Sequence, residues 1–252
     1  KRPGGRPPYD YVLMFKILIL QRYYNLSDDQ TEYAILDRLS FRRFLGISEY
    51  TLDVPDAKTI WLFKDTLSQT DGYDQLFCLF EQELESQGVI SHKGTLIDAS
   101  FIECPKQRNN RDENKRIKQG DTIDEWSDAK RCQKDVDARW TKKNGQSYFG
   151  YKHHVAVDMR SKLIVSETVT SASVHDSRVF SELMTANTQV VFADSAYTGQ
   201  AIPEGIRSEV MERAARNRPL TEEQRTFNHL KSRIRCRVEH VFGFIENSMN
   251  GS

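Results

Sequence analysis

Apolar positions in the first ninety residues recur at helical spacing. Leu13, Ile17 and Leu20 stand three or four residues apart, the separation that places side chains on one helical face. Ser27 precedes the next periodic run, 28–39, as an N-cap. Residues 9–46 therefore predict two or three short helices. The pattern continues through 56–67 and 73–87, with Gly88 as a C-terminal stop. The Pro/Gly-rich, basic residues 1–8 read as a flexible arm.

Beyond residue 90 the texture changes. Residues 94–102 are β-branched and apolar, as in a buried strand. The 103–147 stretch is polar, with few large apolar residues besides Trp126 and Trp140. It reads as a charged, partly disordered insertion outside the sheet. Residues 148–159 and 162–171 predict two strands joined by an Arg160-Ser161 turn, with Asp158 as a hairpin residue. An amphipathic helix is predicted over 174–185 and a short interior strand over 190–194. A long helix is predicted over 221–246, with Thr221 and Gln224 as a capping box. Phe227, Leu230, Ile234, Val238, Phe242 and Ile245 mark its buried face.

Lysine plus arginine equals aspartate plus glutamate, 36 each, so net charge favours no class of partner. The distribution does: residues 53–90 carry eight acids against two bases, and 205–240 nine bases against five acids. Only the second segment suits phosphates. Cys78, Cys104, Cys132 and Cys236 are scattered without a CxxC pair. That argues against a zinc site or a disulfide framework and for a reducing, cytoplasmic setting. The apolar run 11–20 is too short to span a bilayer.

Three acids stand out. Asp98 lies within an apolar strand, Asp194 ends another, and Glu239 follows Val238 on the long helix. A buried carboxylate costs several kcal/mol unless it is paired or binds a cation. Three converging carboxylates repel one another, and a hard divalent cation such as Mg2+ relieves that repulsion. Any one of them alone reads as well as a turn former or helix cap, and Glu239 alone as a partner of Arg235 one turn earlier. His153-His154 cannot easily serve one ion, because adjacent strand residues face opposite ways, and Asp176 suits a helix start. Trp126 and Trp140 fit either anchoring of the insertion or stacking on a base.

Several segments together resemble insertion-sequence-five-group DDE transposases. They include Arg6-Pro7-Pro8-Tyr9-Asp10, Asp37-Arg38-Leu39-Ser40-Phe41-Arg42-Arg43-Phe44-Leu45-Gly46 and Gly94-Thr95-Leu96-Ile97-Asp98-Ala99-Ser100. Phe149-Gly150-Tyr151-Lys152-His153-His154, Val174-His175-Asp176-Ser177 and Ala193-Asp194-Ser195-Ala196-Tyr197 continue the likeness. Of the related Tyr–Arg–Glu–Lys signature, Arg235 and Glu239 match, while Ser232 and Glu246 stand at the outer two places.

The resemblance implies an α+β protein: a helical N-terminal DNA-binding or dimerisation domain (1–90) before a ribonuclease-H-like mixed-sheet catalytic domain (91–252) with a shortened C-terminus. It implies an enzyme that cuts at the terminal inverted repeats of an insertion sequence and joins the 3′-hydroxyl ends to target DNA. Asp98, Asp194 and Glu239 are its expected catalytic residues and ligands of two Mg2+ ions, with Mn2+ as substitute. Arg235, Lys152, Lys142 and Lys143 are the expected DNA contacts, double-stranded DNA the partner, and a homodimer the assembly. The alternative is an inactive or host-adopted DNA-binding relic, separable by a Mn2+-dependent nuclease assay. A nuclease without strand transfer is separable by its lack of joined products.

Overall fold

A computed structural model of the chain describes residues 7–143 and 145–249. The arm expected at 1–8 falls outside them except for Pro7 and Pro8, as do the last three residues. The chain forms two compact units, one up to Gly88 together with residues from Gly243 onward, the other from Val89 to Phe242. Each is described on its own.

The first unit is helical: α1 (Tyr11–Tyr23), α2 (Asp28–Asp37), α3 (Leu39–Leu45), α4 (Ala57–Gln69) and α5 (Gly72–Ser86). Polar caps set the boundaries. Asp10 accepts from the Leu13 N–H, and Ser27 with Gln30 forms a full capping box. Gly46, at φ 74°, ends α3 in the left-handed region. Ile17, Ile35 and Ile60 are fully buried in one core with Met14, Phe41 and Leu45. Beside it lies a buried cation, Arg42. Its guanidinium donates to the carbonyls of Ile35, Ser48, Glu49 and Thr51 at 2.8–2.9 Å. Those bonds satisfy the charge and hold the 48–51 turn.

The second unit contains β1 (Thr95–Glu103), α6 (Arg111–Gln119), α7 (Asp128–Cys132), β2 (Arg139–Lys143), β3 (Gln146–Asp158), β4 (Ile164–Ser171), β5 (Val190–Phe192), β6 (Arg207–Ser208) and most of α8 (Glu222–Ser248). The sheet runs β2-β3-β1-β5-β6, with β4 paired to β3. β1 meets β3 antiparallel and β5 parallel. This is the α+β, mixed-sheet, ribonuclease-H-like arrangement that the family resemblance implies. Thr221 and Gln224 cap α8 reciprocally, as expected.

Three expectations are corrected. The 103–147 stretch does enter the sheet, since β2 pairs with 146–150 of β3 along one edge. It also packs its own small core of Ile117, Ile123 and Trp126, with Trp126 donating to Glu113 at 2.7 Å. Few apolar residues suffice because two capped helices converge on one indole. The 174–185 segment forms only a short 3-10 turn, Asp176–Arg178, and then irregular turns. There the His175 ring accepts the Ser177 N–H, a local bond that competes with helix, while Val179, Phe180 and Leu183 are buried. On α8, Phe227 and Leu230 are exposed, at 60% and 49%. The buried positions there are Asn228 and Val238.

Gly150 and Asp158 are points of constraint. Gly150, at φ 146°, pairs with both β1 and β2, and a Cβ on it would stand 2.1 Å from the Ile102 carbonyl oxygen. Gly150→Ala is expected to lower unfolding free energy by about 3 kcal/mol, from strain plus overpacking, as a shift in urea midpoint. Asp158 is fully buried and accepts from the backbone of Ser91, His92, Arg160 and Ser161. Burial alone would raise its pKa, but the bonds from Ser161 and Ser91 outweigh burial and hold it below the ordinary carboxylate value. A depressed pKa contributes stability above the unfolded value, and that contribution is lost as pH falls through the folded value. Asp158→Asn should therefore cost about 2 kcal/mol at neutral pH. The deficit should shrink in acid when denaturant curves are compared across pH.

Candidate functional site

Along the parallel β1–β5 edge, Thr95 pairs with Val191 and Leu96 with Phe192. The same register carried two residues on sets Asp98 beside Asp194, just past the carboxyl end of β5. Side chains alternate along a strand, so Asp98 shares a face with Leu96, and Asp194 with Phe192. Leu96 and Phe192 pack with Val155, Val157 and Val238, and Ile234 and Phe242 lie against that cluster. The apolar stripe of α8 thus covers the face on which the two carboxylates stand.

Asp98 is tightly held. Its Oδ1 accepts from the Ala99 N–H at 2.9 Å, and its Oδ2 from Arg235 Nη2 at 2.6 Å. Burial is the largest influence and pushes the Asp98 carboxyl above its ordinary value. Arg235 and the Ala99 N–H pull the other way, while the charge of Asp194 adds to the upward push. The two carboxylates therefore act on each other. Asp194 Oδ1 accepts from the Ala196 N–H at 2.8 Å and caps the short turn Ser195–Tyr197.

Arg235 reaches Asp98 because Ile234 and Val238 fix the rotation of α8. Glu239, one turn beyond Arg235, is exposed and makes no hydrogen bond or ion pair with a described residue. The Arg235–Glu239 pair that spacing allowed is not formed; Asp98 takes the guanidinium instead. The structure thus brings Asp98, Asp194 and Arg235 together and leaves the Glu239 carboxylate free one turn away. The two aspartates that meet offer hard carboxylate oxygens and repel each other. That pair suits a hard divalent cation.

The four expected cationic contacts divide. Lys142 and Lys143 are exposed on β2. Lys152 is not at the surface: it is 8% exposed, and its ammonium donates to the Val174 carbonyl at 2.7 Å and to Asp176 at 2.8 Å. Its place is in the framework, because it shares the inward face of β3 with His154 and Ala156, and that period of two was the readable signal. His154 donates to or accepts from Thr170, and burial lowers its pKa. His153 turns to Glu167, so the two histidines do face apart. Trp140 is half exposed beside Lys106. Sequence reasoning also passed over Tyr197. It is 2% exposed, its hydroxyl has no partner among the described residues, and burial first, then Asp176, Asp98 and Asp194, push its pKa up.

A family model described as "Transposase DDE domain" matches residues 90–252, and one described as "Transposase domain (DUF772)" matches residues 1–66. No solved structure matches the chain. Among the described residues, no helix is long and apolar enough to cross a membrane.

The placement of the three lysines has a direct test. Lys152→Met leaves Asp176 without its cation and should lower unfolding free energy by about 3 kcal/mol. Lys142→Ala and Lys143→Ala, at exposed positions, should stay within about 0.5 kcal/mol of the parent. Urea denaturation of the three variants checks both.

Proposed function

We infer the reaction of this chain from one premise: it belongs to the DDE transposases, whose domain model spans residues 90–252. Its general activity is therefore DNA transposition, a nuclease-type chemistry on DNA. The finer reading is that it cleaves at the terminal inverted repeats of its element and joins the freed 3′-hydroxyl ends to target DNA. The observation that carries this reading is that Asp98 on β1 and Asp194, two residues beyond the parallel strand β5, lie close enough for an electrostatic push between them.

In this reading Asp98, Asp194 and Glu239 hold two Mg2+ ions, replaceable by Mn2+. When bound, the ions polarise the scissile phosphodiester and favour a deprotonated oxygen nucleophile. The protein supplies the arrangement. The backbone N–H groups of Ala99 and Ala196 each take one carboxylate oxygen, which fixes both carboxylate planes before any ligand arrives. Leu96, Phe192 and Val238 keep water from the inner side of the pair. Exposed Glu239 can turn toward the pair without breaking a bond. Lys142, Lys143 and the arginines of the 205–240 segment meet the DNA backbone, in a manner that weakens with salt. Residues 1–90 serve as the repeat-binding or dimerisation domain, and the working assembly is a homodimer on two element ends.

Glu239→Gln separates the metal role from a structural one. It removes a hard anionic ligand and touches no contact of the fold. Strand cleavage in Mg2+ should fall at least about a hundredfold, roughly 3 kcal/mol of transition-state stabilisation, while gel-shift affinity in chelator stays within twofold. A variant that cleaves at the parental rate removes Glu239 from the ligand set. Equal loss of DNA binding makes it structural.

A further inference from the structure

A buried arginine, Arg42, and a half-buried one, Arg235, are held in very different ways in this protein. Arg42 donates to four carbonyls and to no carboxylate among the described residues. Arg235 makes a single strong contact, Nη2 to Asp98 Oδ2 at 2.6 Å. Its Nη1 lies 3.7 Å from the Met211 thioether, a weak acceptor, and its Nε is buried with no partner. The first guanidinium is a fixture. The second is under-satisfied, bound at one point, in a side chain 15% exposed.

That one point is a carboxylate oxygen. Asp98 has two, and each already accepts one bond, Oδ1 from the Ala99 N–H and Oδ2 from Arg235. An ion on this carboxylate would stand beside the guanidinium, and two cations that close in a partly buried place repel strongly.

We propose that Arg235 and a divalent cation exchange on Asp98: the guanidinium neutralises the buried carboxylate until the ion arrives, and the ion releases it. The proposal rests on the reading of Asp98 as a metal ligand. It adds a coupling that neither group has alone. Asp98 is never left as a bare buried charge, which lowers the energetic penalty of keeping a carboxylate between two strands. The released guanidinium is free for a phosphate. Metal entry and the freeing of an anion-binding group become one event, and Arg235 weakens ion binding by the strength of its own bond.

The test measures ion binding on the full chain, with Mn2+ followed by electron paramagnetic resonance and no DNA present. Four proteins are compared: parent, Asp98→Asn, Arg235→Gln and Arg235→Lys. Exchange predicts that Arg235→Gln binds Mn2+ about tenfold more tightly than the parent, the loss of one charge-assisted hydrogen bond. Arg235→Lys should fall between them, and Asp98→Asn should bind more weakly than the parent. If Asp98→Asn weakens binding while neither Arg235 variant tightens it, exchange is overturned and the metal site stands. If Asp98→Asn binds like the parent, the metal-ligand reading itself fails, and exchange with it. A second readout needs no folded glutamine variant. In 15N-arginine-labelled parent, the Nε–H resonance of Arg235, assigned by its absence from Arg235→Lys, should move progressively as Mg2+ is added. A resonance that stays fixed while the site saturates overturns the proposal.

Discussion

The centre of the second unit depends on β1 being bonded along both edges. On one side it runs antiparallel to β3 for nine residues, and on the other parallel to β5. The second pairing is short, but it decides where the two aspartates lie, because a parallel neighbour puts the ends of two strands at the same level. An antiparallel β5 would carry Asp194 to the far end of the sheet. The constraint also explains the apolar sequence before each aspartate. Both strands are covered, so Leu96, Ile97, Val191 and Phe192 must be apolar for the two carboxylates to be positioned at all.

The protein buries several ionised or polar groups and treats them differently. Asp158 collects backbone N–H groups from the segment before β1 and from the turn after β3, and its carboxyl titrates below the ordinary value. Lys152 and Asp176 neutralise each other under the sheet. Arg42 is saturated by carbonyls. Each of these is complete in itself and belongs to the scaffold. Asp98 differs: even with Arg235 beside it, burial prevails and its carboxyl is pushed up. A carboxylate whose surroundings leave it unfavourably charged has an electrostatic deficit, and such deficits cluster at functional sites.

How much of this was written in the sequence depends on how local the signal is. The helical caps at Ser27 and Thr221 were readable because a capping box spans four residues. The apolar runs ending at Asp98 and Asp194 were readable because strand burial is a property of neighbours in the chain. The adjacency of those two aspartates was not, since it depends on a register between strands almost a hundred residues apart. Residues 103–147 were misjudged as lying outside the sheet because composition counts apolar residues without knowing that three of them meet. The 174–185 segment has the apolar spacing of a helix, yet its packing residues are held by irregular turns. Lys152 reads as a DNA contact through the resemblance, and its partner Asp176, 24 residues on, is not visible along one strand. Arg235 was expected to face either a phosphate or Glu239, and its partner 137 residues away could not be seen along one helix.

The grip of α8 on the segment after β6 has an evolutionary corollary. Asn228 exchanges two hydrogen bonds with the Glu212 backbone, Lys231 donates to the Val210 carbonyl, and Arg235 touches Met211. These residues lie at i, i+3 and i+7, one stripe of the helix, and together they set its angular phase. Adding or deleting one residue between Asn228 and Arg235 would rotate everything beyond it by about 100°. Arg235 would then swing away from Asp98, and Val238 out of the core. This stretch is closed to changes of length, whereas loops around α6 and α7 can grow or shrink without disturbing a phase. Among descendants of this sequence, gaps should accumulate in the second place and be purged from the first.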